Sequence, residues 1–226
     1  IIAKSPRMIP VKICGITNIE DAQLAVSYSA SALGFIFYDK SPRYISPELA
    51  SQIAADLKGQ VAFVGVFVDS TLDYVHAVAD KVGLNFIQLH GSESVDYCQK
   101  VQFPVIKVFR VADHFDAVTI NNYDVHSYLL DTYKKNKLGG TGETFNWDII
   151  GNLRTDTPII LSGGLSAENI LTGIVEVCPS AVDINSGVES RPGVKEEKMM
   201  KALFDILVDT GELANPFEIP VDQEGS

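Results

Sequence analysis

The stretch VKICGITNIEDA, residues 11–22, changes from the pattern of a buried strand to that of a helix. VKIC is a short apolar run, and Gly15 interrupts it directly after the cysteine. Asn18 then precedes two acidic residues, as is typical of a helix start. The same change from strand to helix recurs along the chain, which indicates alternating strands and helices.

Eight apolar runs have the length and the Val, Ile and Phe content of strands. We predict strands at residues 9–14, 32–37, 61–68, 84–90, 104–109, 127–131, 158–162 and 181–185. Helical periodicity predicts helices over residues 19–30, 47–57, 72–82 and 194–209. The expected helix caps are Thr17 or Asn18, Ser46, Ser70 and Ser166. Strands that are apolar on both faces are typical of a parallel sheet covered by helices.

Such a sheet either closes into a barrel or stays open and doubly wound. The strand count favours closure, and VKICGITN lacks the GxGxxG turn expected after the first strand of an open nucleotide-binding sheet. We therefore predict an α/β protein with one (β/α)₈ barrel, the TIM barrel, over residues 1–226. Residues 1–8 and 211–226 are expected to be flanking tails, the second of them loosely held.

Composition narrows the function classes. Hydrophobic residues make up 46% and charged residues 21% of the chain, as in an ordinary globular protein. The net charge of −11 argues against nucleic acid or an anionic membrane surface as partner, although backbone amides can still bind a small phosphate. No apolar run reaches the roughly 18 residues of a membrane span, and no signal peptide is visible, so we expect a cytoplasmic protein. The three cysteines show no CxxC spacing, and we predict neither a disulfide framework nor a metal site.

The carboxyl ends of the strands form the active face of such a barrel. Cys14 ends the first strand, where it is either a small buried hydrophobe or a pocket thiol whose thiolate a helix N-terminus favours. Cys98 and Cys178 are interpreted as structural. Asp131 follows the apolar run SYLL. It is either a cap for backbone amides or a carboxyl group whose burial suits it to general acid work.

Glycine-rich loops follow the sixth, seventh and eighth predicted strands, in KLGGTGETF (137–145), SGGL (162–165) and NSGV (185–188). Loops after the seventh and eighth strands bind phosphate in many barrels. Arg43 in SPRY is either a solvated surface residue or a bidentate ligand for a substrate carboxylate. His90 is interpreted as a core histidine rather than a pocket residue, and Asp183 as a group that orders the site.

Motifs spread over residues 11–209 resemble, in order and spacing, those of the phosphoribosylanthranilate isomerase family of tryptophan biosynthesis. They are VKICGIT, GFIFYDKSPRYIS, VGVFVD, IQLHGSE, LLDT, GGTGETFNW, LSGGLSAENI and VDINSGVESRPGVK. Three positions depart from the family pattern: Asn146 where aspartate is usual, Asn185 where serine is usual, and Ala167 where proline is often found. None of these departures affects the acidic or thiol residue singled out above.

The resemblance implies an isomerase that carries out a cofactor-free Amadori rearrangement, with no metal. The substrate would be N-(5'-phosphoribosyl)anthranilate and the product 1-(2-carboxyphenylamino)-1-deoxyribulose 5-phosphate. By match to the family motifs, Cys14 would be the general base and Asp131 the general acid. Arg43 would hold the anthranilate carboxylate, and Asp183 would help to position the opened sugar.

The family match further implies a phosphate site formed by Gly163, Gly164, Ser186 and Gly187. The only partner expected is the small phosphorylated substrate, and we expect a monomer rather than a homodimer. Two other readings remain open. A related histidine-pathway isomerase would use two aspartates, so that Cys14 is the feature that discriminates against it. A catalytically silent phosphate-binding protein would not need Cys14, Asp131 and Arg43 together.

Overall fold

Short buried strands alternate with helices throughout the computed structural model, which describes residues 8–111, 117–132, 153, 155–208, 210 and 214–219. Eight of the strands are parallel and close into a barrel in chain order, with the first paired to the eighth. They are β1 (Val11–Cys14), β2 (Ala32–Ile36), β3 (Ala62–Phe67), β4 (Phe86–Leu89), β5 (Val105–Arg110), β6 (Ser127–Asp131), β7 (Ile159–Ser162) and β8 (Ala181–Ile184). The predicted (β/α)₈ barrel is confirmed.

Each predicted strand overlaps an observed one, because buried parallel strands leave a local signature. Every residue of β1, β2, β3, β4 and β8 is buried. One face of such a strand points into the barrel and the other contacts the helices, so both faces are apolar. The local pattern therefore predicted the strands without knowledge of their partners.

The described helices are α1 (Ile19–Ser27), α2 (Pro47–Asp56), α3 (Leu72–Val82), α4 (Val95–Lys100), α5 (Ala117–Ile120), α6 (Ile170–Val177) and α7 (Glu197–Leu207). Asn18 caps α1 by accepting from the Asp21 backbone amide, and Ser46 caps α2 by accepting from Leu49. Within the described ranges, no helix is long and apolar enough to cross a membrane.

Three expectations about helix ends were wrong. Thr71, rather than Ser70, caps α3 by accepting a hydrogen bond from the Tyr74 amide. Asn169, not Ser166, is the N-cap residue of α6. The last helix begins at Glu197 rather than at residue 194, because Val194–Lys195 form a short strand, β10, that pairs with β9 (Glu189–Arg191).

Apolar side chains fill the amino-terminal end of the barrel interior. This cluster contains the first residues of several strands, together with one residue from the chain's carboxyl-terminal segment: Ala32, Ala62, Phe86, Ala181 and Phe217. Phe217 is 2% exposed and meets the Phe86 ring edge to face, with centroids 6.1 Å apart. The imidazole Nε2 of His126 lies 2.6 Å from the Pro216 carbonyl oxygen.

The expectation of a loosely held tail is therefore wrong for residues 214–219. Phe217 covers the end of the barrel opposite the carboxyl ends of the strands, and this burial ties down a segment whose composition suggests little structure. The carboxyl ends of the strands are left for the functional site.

We expect Phe217→Ala to lower the free energy of unfolding by roughly 3 kcal/mol, because it removes a buried aromatic ring from the barrel end. Urea unfolding followed by circular dichroism measures this change. Ile219→Ala is the matched control, since Ile219 belongs to the same segment but is 40% exposed. Equal midpoints for Phe217→Ala and the unmodified protein would show that the segment does not stabilise the barrel.

Candidate active site

A cavity of about 390 Å³ opens at the carboxyl ends of the barrel strands. Seven of the eight predicted site residues line it: Cys14, Arg43, Asp131, Gly163, Gly164, Asp183 and Ser186. These residues come from both ends of the chain, and closure of the barrel brings them together. The volume lies in the range of roughly 300–1,000 Å³ that is usual for small-molecule sites.

Gly187 is the predicted site residue that does not line the cavity. A Cβ atom added to it would lie 1.9 Å from the Leu165 carbonyl oxygen, so no side chain fits there. Gly187 therefore allows the loop after β8 to contact the backbone of the loop after β7.

Cys14 ends β1, lines the cavity and is 4% exposed. Burial raises the pKa of its thiol above the ordinary value, and the nearby Lys12 ammonium opposes that rise. The helix N-terminus that was expected beside this thiol is separated from it by a short connecting loop, because α1 begins only at Ile19. The thiol form of Cys14 is thus favoured by its surroundings more than the sequence suggested.

Asp131 ends β6 and faces His90 across the cavity wall. The His90 Nε2 atom lies 3.4 Å from Asp131 Oδ2, and the two side chains are 27% and 19% exposed. The interpretation of His90 as a core residue is wrong, because it lines the same cavity as Asp131 and Cys14. A carboxyl group next to an imidazole can hold or release a proton, which is what acid–base chemistry requires.

Arg43 lies in the loop after β2 and is held by Glu189. Its Nε donates to both Glu189 carboxylate oxygens at 3.0 Å, and its Nη2 donates to Oε2 at 2.7 Å. The side chain is 20% exposed and lines the cavity, so Arg43 is not a solvated surface residue. Burial alone would raise the pKa of Glu189, but hydrogen bonds from Arg43 and Lys195 lower it.

Gly15 makes room for this arrangement. Its φ of +74° is in the left-handed region, which favours glycine. An added Cβ would lie 2.8 Å from Arg43 Cδ and 2.7 Å from Asn185 Oδ1. The glycine after Cys14 therefore allows the arginine and the loop after β8 to approach the end of β1.

Lys195 joins the ends of β1 and β8 beneath the site. Its Nζ donates to the Cys14 carbonyl oxygen at 2.5 Å and to Glu189 Oε1 at 2.9 Å. It also donates to the Asn185 side-chain oxygen at 3.2 Å. These bonds connect the backbone that carries Cys14 with the carboxylate that holds Arg43.

Asp183 lies on β8 with its carboxylate turned toward the barrel axis and is 5% exposed. Lys12 Nζ donates to Oδ1 at 2.7 Å, and Ser162 Oγ donates to Oδ2 at 3.0 Å. Both oxygens are thus oriented by side chains of neighbouring strands. Asp183 still lines the cavity.

The two glycine loops after β7 and β8 present backbone to the cavity. Gly163 and Gly164 have φ values of +102° and +71°, which are unfavourable for other residues. Ser186 begins a short 3₁₀ helix, Ser186–Val188, as in barrels that bind phosphate at this end. The third glycine-rich loop, residues 137–145, and Asn146 lie outside the described residues.

Sequence reasoning did not single out Lys12 and Glu189, and it weighed a pocket role for His90 but favoured a core role. Lys12 precedes Cys14 by two positions in a strand, and this spacing places both side chains on one face. A lysine inside an apolar run could therefore have been singled out. His90 follows the last residue of β4, where strand alternation no longer predicts direction. Glu189 shows no local signature, because its partner Arg43 is distant in the chain.

Comparison with known proteins identifies the family. The model of the N-(5'-phosphoribosyl)anthranilate isomerase family matches residues 11–206. A Geotalea uraniireducens protein named N-(5'-phosphoribosyl)anthranilate isomerase is 50% identical over 189 residues, which cover 84% of this chain and 93% of the relative.

Solved structures agree with the sequence relatives. The crystal structure of phosphoribosyl anthranilate isomerase from Thermotoga maritima is 42% identical, with a TM-score of 0.80, over 88% of this chain and 98% of that chain. A second isomerase structure, in complex with reduced 1-(o-carboxyphenylamino)-1-deoxyribulose 5-phosphate, is 39% identical with a TM-score of 0.77 over the same shares. The chain belongs to the N-(5'-phosphoribosyl)anthranilate isomerase family.

Proposed function

We propose that this protein isomerises N-(5'-phosphoribosyl)anthranilate to 1-(2-carboxyphenylamino)-1-deoxyribulose 5-phosphate, in the tryptophan pathway. Membership of the isomerase family supports the reaction. The observation that carries the residue assignment is that a thiol, a carboxyl group, an arginine and two glycine loops line the same cavity. One cavity can thus hold both ends of an extended, doubly anionic substrate.

Binding at both ends positions the reacting carbons. The backbone of Gly163 and Gly164, with Ser186, binds the phosphate, because main-chain amides favour anions without needing lysine or arginine. Gly187 contributes by letting the Ser186 loop contact the loop after β7. Arg43 binds the anthranilate carboxylate through its planar guanidinium. Such positioning can contribute several kcal/mol toward lowering the barrier, roughly 7–11 in the best intramolecular cases.

Asp131 acts first, as the general acid. It donates a proton to the furanose ring oxygen, and the bond from that oxygen to C1 breaks. The anthranilate nitrogen supplies its lone pair to C1, which gives an open-chain iminium ion. The positive charge on that ion acidifies the proton on C2. Asp183 helps to hold the opened sugar through its hydroxyl groups.

Cys14 acts second, as the general base. Its thiolate takes the C2 proton, the electrons of that bond form the double bond between C1 and C2, and the iminium nitrogen becomes neutral. The resulting enolamine loses its hydroxyl proton and gains a proton at C1, which yields the ketone. A thiolate whose pKa is raised by burial is a stronger base once it has formed. No metal or redox cofactor takes part in the proposed reaction.

The proposal is tested by mixing the purified protein with freshly made phosphoribosylanthranilate and following its fluorescence. We expect enzyme-dependent consumption and a product of unchanged mass that no longer contains a furanose ring. A folded protein that leaves the substrate unchanged would exclude this function. The expected monomer stays a prediction, which sedimentation velocity measures.

We expect Arg43→Ala to raise KM by about 10- to 100-fold, as loss of a charged hydrogen bond predicts. The same assay measures this change, and Arg191→Ala, an exposed arginine on β9, is the matched control. A phosphoribosylaniline substrate, which lacks the carboxylate, separates binding from structure. With that substrate, Arg43→Ala should cause little further loss. An equal loss on both substrates would mean that Arg43 acts only by holding Glu189.

A further inference from the structure

Lys12 is a buried cation to which the proposed mechanism gives no role. It lies within β1, and its side chain is 0% exposed. Burial of an ammonium group costs several kcal/mol unless a partner compensates for it. Asp183 on the neighbouring β8 supplies one partner, because Lys12 Nζ donates to Asp183 Oδ1 at 2.7 Å.

The ammonium also lies close to the Cys14 thiol. Gly34 on β2 is the register partner of Cys14. A Cβ atom added to Gly34 would lie 2.8 Å from Cys14 Sγ and 3.0 Å from Lys12 Nζ. Both side chains therefore occupy the space over the bare face of this glycine, and any larger residue there would displace one of them.

Other charged and titratable groups surround Cys14 on neighbouring elements. Those that face the thiol or the cavity it lines are Asp183 of β8, Lys195 of β10, Asp131 of β6, Arg43 and His90 of the strand-end loops, and Tyr38 beside the thiol. Lys195 Nζ bonds to the Cys14 carbonyl oxygen rather than to the thiol, and Arg43 is paired with Glu189. Among these cations, Lys12 is therefore the one placed to act as the counter-ion of the thiolate.

We propose that Lys12 is a positioning residue whose buried ammonium stabilises the Cys14 thiolate and thereby sets the pH range in which Cys14 removes the C2 proton. This inference rests on the proposed function in one respect, the assignment of Cys14 as the base. Asp183 then has two effects: it holds the ammonium in place, and its own negative charge partly opposes ionisation of the thiol.

The directions of the pKa shifts agree with this role. Burial raises the pKa of Cys14, and attraction by Lys12 is the strongest opposing influence. Burial alone would lower the pKa of Lys12, but Asp183 and Cys14 raise it above its ordinary value. Asp183 and Cys14 therefore favour the ammonium form of Lys12, which is the form that opposes the rise in the Cys14 pKa.

The test uses a background in which Cys98→Ala and Cys178→Ser leave Cys14 as the sole cysteine of the three in the sequence. The rate of alkylation by iodoacetamide, measured against pH by mass spectrometry, gives the apparent pKa of Cys14 without any substrate. Four proteins are compared in this background: unmodified at positions 12 and 183, Lys12→Met, Asp183→Asn, and the double variant. The double variant removes both charges, so that no uncompensated carboxylate is left buried if Lys12→Met folds poorly.

We expect Lys12→Met to raise the apparent pKa of Cys14 by about one to three units, the usual effect of losing an opposite charge at this range. The apparent pKa of Cys14 should also be higher in the double variant than in the background protein, and it should be lower in Asp183→Asn. The acid limb of the kcat/KM profile of Lys12→Met should move to higher pH by the same amount. A residue with only a structural role would lower the rate without moving that limb.

Two outcomes would contradict different parts of the proposal, the role of Lys12 and the assignment of Cys14 as the base. Unchanged alkylation pKa values in both variants lacking Lys12 would refute the inference, while the base assignment of Cys14 would still be judged by its own substitution. A raised alkylation pKa with an unmoved kcat/KM limb would instead refute Cys14 as the base. Circular dichroism of each variant confirms that the barrel is intact before either comparison.

Discussion

Cys14→Ala is expected to lower kcat by roughly 10² to 10⁴, the usual contribution of a positioned general base. The substitution removes the sulfur at the end of β1 and leaves the cavity otherwise lined as before. Alanine cannot take a proton from C2, so the open-chain iminium ion would revert to the substrate unless water removed that proton instead. Steady-state kinetics on freshly made substrate measure the loss, with circular dichroism as the check on folding.

Cys98→Ala is the matched control for this result. Cys98 is also buried, with a thiol pKa raised by burial, but it lies on α4 and does not line the cavity. We expect the activity of the Cys98→Ala variant to equal that of the unmodified enzyme. If the folded Cys14→Ala variant turned over at a similar rate, Cys14 would be a packing residue after all.

Asp131→Asn is expected to lower kcat by a comparable factor, roughly 10² to 10⁴, because the amide has nearly the same shape but cannot donate a proton to the ring oxygen. The effect should fall on kcat more than on KM, since the proton moves in the transition state. Asp73→Asn, an exposed aspartate in the first turn of α3, is the control and should leave the rate unchanged.

Substrate deuterated at C2 distinguishes the acid from the base. In Cys14→Ala the residual reaction should show a full primary isotope effect, because abstraction of the C2 proton limits the rate. In Asp131→Asn the isotope effect should vanish, because ring opening limits the rate instead. A full isotope effect in Asp131→Asn would show that Asp131 does not open the ring.

The barrel itself could be predicted because its pattern is local. Each strand is recognised from a few apolar residues, and the eight runs together imply closure. Prediction failed where distant residues change the local preference. Residues 194 and 195 have a helical pattern, yet Lys195 donates its backbone amide to Asp21 and its ammonium to Glu189, and the chain forms a strand there.

Phe217 illustrates the same difficulty at the other end of the barrel. A single aromatic residue in the carboxyl-terminal tail forms no helical or strand periodicity that could predict its burial. That burial depends instead on the space beside Phe86. For Cys14 the position was predicted but not the electrostatics. Proximity to a helix start suggested a lowered pKa, whereas the enclosed surroundings raise it.

By itself, the sequence determined the order of strands and helices and the end of the barrel at which seven of the eight predicted site residues line one cavity. These follow from alternation and from position relative to strand ends, which neighbouring residues alone specify. Only the tertiary structure decided which charges meet. Lys12 and Asp183 are 171 positions apart and Arg43 and Glu189 are 146 positions apart, so closure of the barrel creates both pairs. Burial in the closed barrel then raises the pKa of Cys14, and no local sequence pattern predicts that burial.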